Sequence, residues 1–370
     1  MGKQIMDRTG AVCLLVTILV AKMFTPQPRM VAEQAGSAAW LVVLLTGPLS
    51  LLGYWGLSAL LVRFPGLSIA QISLKALGRV AGAVVGILYA AYFIWMGGVM
   101  LREFVAGFRV AVLPSTPVSV LAMGILVIGL YAAVKGPEVQ ARLAAYLIPG
   151  MAVLLAITVV GVWRLLDWRQ LTPVFGYSLR NTLLLSFPLT SKHSEILVLG
   201  VLAPLLPTAS VRRLGLSALL AGYVGQVLFL LFLGSVFPFP AMSRLFYPML
   251  ELTRMIEVSE FIQRIEALFI FLWFFVAAFA MATLITTIAS IIRDVTETTL
   301  FNPFALSASL LMFTIAFIPF NQVELMWLDW LTLRTWGWAF SFGLPILTLA
   351  VAVLRGKRGE NGETPETRAG

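Results

Sequence analysis

Two short stretches of the chain hold the residue types that could do chemistry. The first is Lys22-Met23-Phe24-Thr25-Pro26-Gln27-Pro28, where a lysine, a hydroxyl and two prolines interrupt an apolar run. The second is Phe187-Pro188-Leu189-Thr190-Ser191-Lys192-His193-Ser194-Glu195, with a second lysine, the only histidine and a glutamate. Proline removes a ladder hydrogen bond and breaks a helix. Both breaks fall inside runs long enough to cross a bilayer. At that depth irregular backbone persists only where it packs on protein or lines a cavity. Each ionisable side chain there costs a few kcal/mol, so such groups are kept for a reason. The chemistry they suit is recognition of a small polar molecule. Glu195 can hold an ammonium or take a proton. Amides freed near Thr25 and Thr190 can hold a carboxylate, and His193 can titrate near neutral pH.

The candidate ligand-binding set is Lys22, Met23, Phe24, Thr25, Thr190, Ser191, Lys192, His193 and Glu195. Tyr92 and Phe93 join it from the third helix, and Thr283 from the eighth. Each residue also has a plainer reading. Lys22 and Lys192 can extend to an interface, although the helix register argues against this for Lys22. Glu195 can pair with a lysine as structural glue. An aromatic stripe at helical spacing is ordinary packing, and threonines in membrane helices commonly bond back to their own backbone. A sodium site from Thr286 and Thr287 against the first break is a further alternative. The fifth helix carries no charge over residues 143–162, so it offers no proton-coupling lysine or carboxylate.

Composition defines the setting for these stretches. The apolar fraction is 60% and the charged fraction 12%, about half of what soluble domains carry. Apolar runs near the ~20 residues that span a hydrocarbon core recur along the chain. They predict an all-α integral membrane protein of about ten transmembrane helices. The helices are placed at residues 8–36, 38–62, 78–113, 117–134, 137–166, 178–206, 210–236, 261–292, 303–320 and 331–354. Residues 67–77 read as an amphipathic helix on the membrane surface, and residues 243–257 as a helical connection. Residues 1–355 form the transmembrane permease-like domain, and 356–370 a disordered cytoplasmic tail. The N-terminus lacks the small-residue cleavage site of a signal peptide.

The net charge of +9 fits loops held on the cytoplasmic side better than a nucleic-acid surface, so no nucleic-acid partner is expected. About fourteen basic residues fall on the side of the termini and ten on the other, with Lys22 and Lys192 inside the membrane. That bias puts both termini in the cytoplasm. One histidine and one cysteine, Cys13, cannot make the usual His-rich or thiolate metal site, and no nucleotide-binding loop is present. No cofactor, metal or catalytic residue is expected, and the chain does not read as an enzyme. The breaks occupy the first and sixth of ten helices. Matching breaks in two halves of five predict an inverted repeat with a midplane site between discontinuous helices.

The chain resembles the spore germination permease family, the B subunits of endospore germinant receptors within the amino acid–polyamine–organocation superfamily. The most specific part is Phe261-Ile-Gln-Arg264-Ile-Glu266-Ala-Leu-Phe-Ile-Phe-Leu-Trp273, at the entry to the eighth helix. Pro26 to Trp40, Tyr247-Pro248-Met-Leu-Glu251-Leu-Thr-Arg254, and Glu195 followed by apolar residues and Pro204 also look like family segments. Lys22 and Lys192 depart from the small residues often found at such breaks; they suit an acidic ligand or an internal Lys–Glu pair. The resemblance implies a receptor subunit that senses a small nutrient, an amino acid or similar, and triggers germination. Its implied partners are an A-type membrane subunit and a C-type lipoprotein, and its implied location is the inner membrane of the spore. A proton- or sodium-coupled amino acid transporter is the alternative. Arg264 and Glu266 lie two apart and so face different elements; they are read as a gating contact or a structural latch.

Overall fold

A computed structural model describes residues 6–256 and 265–359. The described residues form helices and connecting turns. The first span is Arg8–Val20, a tight 3₁₀ turn at Ala21–Phe24, and Gln27–Ala35. The second to fifth are Ala39–Arg63, Arg79–Ala111, Val118–Val134 and Pro137–Gly161. The sixth is again in pieces: Leu179–Ser186, a long 3₁₀ segment at Pro188–Leu197, and Val198–Leu202. The seventh to ninth are Thr208–Val236, Ile265–Val295 and Asn302–Ile315. The tenth runs from Gln322 to Leu354 through two wide π turns, Asp329–Arg334 and Ala339–Gly343. Among the described residues, six helical stretches are long and apolar enough to cross a membrane by length and composition, and Val118–Val134 and Asn302–Ile315 are shorter apolar helices.

The two halves match as inverted repeats. Each begins with a broken helix, and each places short surface helices after its second span. In the first half this is Ile69–Leu77; in the second it is Phe239–Met242 and Pro248–Arg254. The third and eighth helices pack together at the centre, as do the second and seventh. Exposed leucines, valines and aromatics, such as Leu52, Val127 and Leu228, face outward from the bundle. Such a face is stable against lipid, not water.

Several helix bounds differ from the sequence expectation. The tenth helix starts at Gln322, nine residues earlier than read, because Asn321 caps it by accepting from the Glu324 amide at 2.8 Å. This extension carries Arg334 into the interior, so the basic residues counted on the face opposite the termini drop from ten to nine. The Ile69–Leu77 helix buries Ile69, Ile72 and Ala76 against the protein. Gly82 permits this approach, since a Cβ there would sit 2.5 Å from the Ser73 carbonyl oxygen. The fifth helix ends at Gly161 and the ninth at Ile315, each five residues before the expected end.

The two ends of the described chain share one face. The amide of Gly359 donates to the Arg63 carbonyl, and Arg355 donates to that of Leu77. Met6 donates to the carbonyl of Leu205, at the end of the sixth span. The expected disordered tail lies, from residue 360 on, outside the described residues, as does Arg264.

Candidate functional site

The two breaks meet in the interior of the bundle. A break frees carbonyls that must find donors. In the first helix, Gln226 of the seventh donates to the Leu19 carbonyl at 3.1 Å, and the Thr25 hydroxyl donates to that of Lys22 at 2.8 Å. In the sixth, the Thr190 hydroxyl donates to the Phe187 carbonyl at 2.7 Å. The amides of Thr25 and Thr190 also turn inward, to the carbonyls of Lys22 and Phe187. Freed amides near these residues were expected to hold a carboxylate; the 3₁₀ turns take up those of Thr25 and Thr190 themselves. His193, at the kink, has φ −113° and ψ 17°.

The centre of the site is an ion pair. Lys22 Nζ donates to both carboxylate oxygens of Glu195, at 2.6 Å to Oε1, across 173 residues of sequence. Both side chains are about 2% exposed. Neither lysine reaches an interface: Lys192 is also buried and donates to Gln27 Oε1 at 3.2 Å. Ser50 of the second helix contacts His193 Nδ1 at 2.9 Å, and the ring stands edge-on to Tyr223. His193 Nε2 and Gln27 Nε2 are buried without a hydrogen-bond partner among the described residues. Replacing Ser50 by alanine leaves Nδ1 in the same position, and we expect a loss of about 1–3 kcal/mol from its unmet hydrogen bond. Thermal unfolding in detergent measures this, and an unchanged midpoint would show that the contact contributes nothing.

The tenth helix closes the site from one side. Its π turns widen the backbone, and the Trp338 amide donates to Ser191 Oγ at 2.8 Å. Gly337 makes the approach possible: a Cβ there would lie 2.9 Å from the Tyr92 hydroxyl. Tyr92 stacks on Phe340 with ring centres 4.8 Å apart and planes at 7°. Phe93 is buried beside it. Phe24 meets Phe269 of the eighth helix at 5.5 Å, while Met23 is half-buried. Thr283 bonds back to the Phe279 carbonyl, and Thr287 to that of Thr283. Thr286 accepts from Gln140 of the fifth helix at 2.6 Å. The structure thus gathers Lys22, Thr190, Ser191, Lys192, His193 and Glu195 at the junction of the breaks, while Thr283 serves its own helix.

Three interior charges were missed in the sequence. Asp329 and Arg334, five apart on the tenth helix, form a buried pair with Arg334 Nη2 2.8 Å from Asp329 Oδ1. Glu103 of the third helix is 2% exposed, and its Oε1 has no partner among the described residues. In the sequence Asp329 falls just before the expected tenth helix and Arg334 was counted among the basic residues opposite the termini, so the pair was not read as interior. Gln27, between the two prolines, belongs to the same set. Beside these groups Gln27, Leu189, Lys192, Asp329, Trp330 and Arg334 line a tight crevice with no room for a water molecule. Met30 and Trp330 also line a cavity of about 200 Å³ reaching Arg29 and Glu33 on the face opposite the termini. Arg29 sits over the Phe246 ring at 4.1 Å.

The eighth-helix signature also has a structural role. Trp273 is fully buried against Phe104, Phe108, Tyr247 and Phe269. It locks the eighth helix to the third. Glu266 is half-buried at the start of that helix.

The fold and the site together define a permease-type membrane protein: an inverted repeat whose two broken helices enclose buried charge at mid-depth. A family profile described as "Spore germination protein" matches residues 7–325, and the chain belongs to that family. Spore germination protein KB of Bacillus subtilis (strain 168) is 25% identical over 313 residues, covering 82% of this chain and 84% of that protein. YndE, another spore germination protein of the same strain, is 24% identical over 359 residues, covering 95% and 96%. Among solved structures, MhsT in complex with L-phenylalanine matches with a TM-score of 0.69 at 13% identity, covering 96% of this chain and 91% of that one. Mhp1, a nucleobase-cation-symport-1 family transporter in a closed conformation with bromovinylhydantoin bound, matches with a TM-score of 0.62 at 12% identity, covering 95% and 90%. The chain therefore has a transporter fold and a germination-protein sequence.

Proposed function

We propose that the chain is the permease-like B subunit of a spore germinant receptor, that it senses a small nutrient, and that the nutrient is an amino acid. The observation that carries this reading is the Lys22–Glu195 pair, buried where two broken helices meet in a member of the spore germination family. A ligand bound here must prefer one arrangement of the broken helices, since equal affinity for both would shift nothing. Binding then moves the first and sixth helices against the rest, and an A-type membrane subunit and a C-type lipoprotein receive that change. The ligand-contacting set is Lys22, Lys192, His193 and Glu195 with the aromatic wall of Tyr92. Arg264 and Glu266 serve as the latch or gating contact of the eighth helix. The chain binds without catalysing, needs no cofactor, and sits in the spore inner membrane with both termini in the cytoplasm. The excess of basic residues on the termini's side supports that orientation.

Transport of an amino acid with a proton or sodium is the second reading, favoured by the transporter fold shared with MhsT and Mhp1. Purified chain in liposomes separates the two. Labelled amino acids and nucleosides are scored for binding and for uptake under imposed proton and sodium gradients. We expect saturable binding without gradient-driven accumulation. Accumulation that collapses with the gradient would replace the sensor by a transporter.

A further inference from the structure

Away from the two breaks, the third helix carries two arginines toward the face opposite the termini. The helix runs from Arg79 to Ala111, and its start lies beside the chain ends, where Arg355 donates to the Leu77 carbonyl. At 33 residues it is about 50 Å long, roughly 20 Å more than the thickness of a hydrocarbon core, so its last turns stand at headgroup level. Arg102 and Arg109 fall in those turns, seven residues apart, and so share one side of the helix. Both line a cavity of about 400 Å³, walled by Pro114 and by Phe320, Asn321 and Gln322 at the entry to the tenth helix.

No acid lines this cavity, and neither arginine has an ion-pair partner among the described residues. Each guanidinium spends Nη2 on a backbone carbonyl at 3.3 Å, Arg102 on Pro319 and Arg109 on Pro114. Arg109 Nε is buried without a partner among the described residues. Glu324, two residues beyond Gln322, accepts from the Phe320 amide instead. Asn321 spends its side-chain oxygen on the Glu324 amide, which leaves its amide nitrogen as a further donor. Two unpaired guanidiniums around one space call for an oxyanion, and their planar forks match the oxygens of a phosphate. The rim identifies the carrier of that phosphate. Val110 and Phe320, the latter 88% exposed, line the same cavity, and Phe317 and Ile318 stand exposed just before it in the chain. A free phosphate gains nothing from apolar side chains; a phospholipid covers them with its acyl chains. With no acid to receive a choline or ethanolamine ammonium, the cavity favours a headgroup of net negative charge.

We propose that the Arg102–Arg109 cavity binds the phosphate of an anionic phospholipid in the leaflet opposite the termini. A lipid there bridges the third helix to the entry of the tenth, which carries Asp329 and Arg334 inward. The site is separate from the cluster where the broken helices meet, and it stands whether the chain senses its nutrient or transports it.

The test titrates the full chain, delipidated in neutral detergent, with phosphatidylglycerol, phosphatidylcholine and glycerol 3-phosphate at fixed salt. Native mass spectrometry gives the bound lipid and its affinity, and the unfolding midpoint is read in parallel. Phosphatidylglycerol should bind at least tenfold more tightly than phosphatidylcholine and raise the midpoint. Arg102→Gln/Arg109→Gln should erase that preference. Arg169→Gln/Arg180→Gln removes the same charge from exposed positions on the same face and should keep it. Where the first double variant fails to fold, Arg102→Lys/Arg109→Lys serves: it keeps the charge, loses the fork, and should lower the preference at least threefold. Equal binding of the two lipids by the parent chain overturns the site. So does an equal loss in the Arg169→Gln/Arg180→Gln chain, which would reduce the effect to diffuse charge. Glycerol 3-phosphate competing as tightly as phosphatidylglycerol overturns the lipid and leaves a site for soluble phosphates.

Discussion

Replacing Lys22 by methionine should destabilise the protein by about 3–5 kcal/mol, the usual loss when one member of a buried pair is removed. Glu195 is held on both oxygens by Lys22 and lies 1% exposed. Without the ammonium its carboxylate is left in a low-dielectric interior. Glu195→Gln should cost less, because an amide oxygen still accepts from Lys22. The double variant Lys22→Met/Glu195→Gln should recover part of the loss, since it removes the unpaired charge and leaves only a neutral amide to bury. The double-mutant cycle, read by thermal unfolding of the purified chain, isolates the pair from everything else each residue touches. Simple additivity of the two single effects would mean that the pair contributes nothing to the fold. Ligand binding gives a second readout. Because Lys22 and Glu195 belong to the proposed ligand-contacting set, the double variant should regain stability without regaining the ligand response.

The second large effect is expected at Arg334. It donates to Asp329 through Nε and Nη2 at 2.8–3.1 Å. Arg334→Met leaves three buried carboxylates, Glu103, Glu195 and Asp329, against two lysines. A loss of about 3–5 kcal/mol follows. Asp329→Asn should be milder. It keeps an oxygen acceptor in place, and Glu103 and Glu195 still neutralise the guanidinium. Adding Glu103→Gln to Arg334→Met should restore part of the stability, because it removes one uncompensated charge. Monodisperse yield and unfolding midpoint in detergent measure all four chains. Equal losses in Arg334→Met and Asp329→Asn would show that the charge balance of the cluster does not govern stability, and that only the local pair does.

Much of this was legible in the chain itself. The breaks stood out because Pro26, Pro28 and Pro188 fall in apolar runs together with Lys22, Lys192 and Glu195. Few contexts other than an interior site retain such groups at that depth. The family was legible from local strings, chiefly the segment ending at Trp273, whose indole the fold then buries between the third and eighth helices. The tenth helix was harder. Asp329 and Arg334, near Asn321, Gln322 and Glu324, look like a polar connection when each residue is weighed singly. Five residues apart on a π turn they neutralise each other and can be buried. Glu103 follows Arg102 directly, and nothing in the sequence separates the interior carboxylate from its half-buried neighbour.

The sequence by itself determined the membrane class, the number of helices and the position of the two breaks, because hydropathy and proline act over a few residues and need no partner. Which charges meet was decided only by the tertiary structure. The pairing of Lys22 with Glu195, and the assignment of Lys192 to a neutral amide, depend on residues from separate halves of the chain arriving at one point. The physical reason is that burying a charge is unfavourable or tolerable according to what lies within a few ångströms of it, and that distance exists only once the helices have packed.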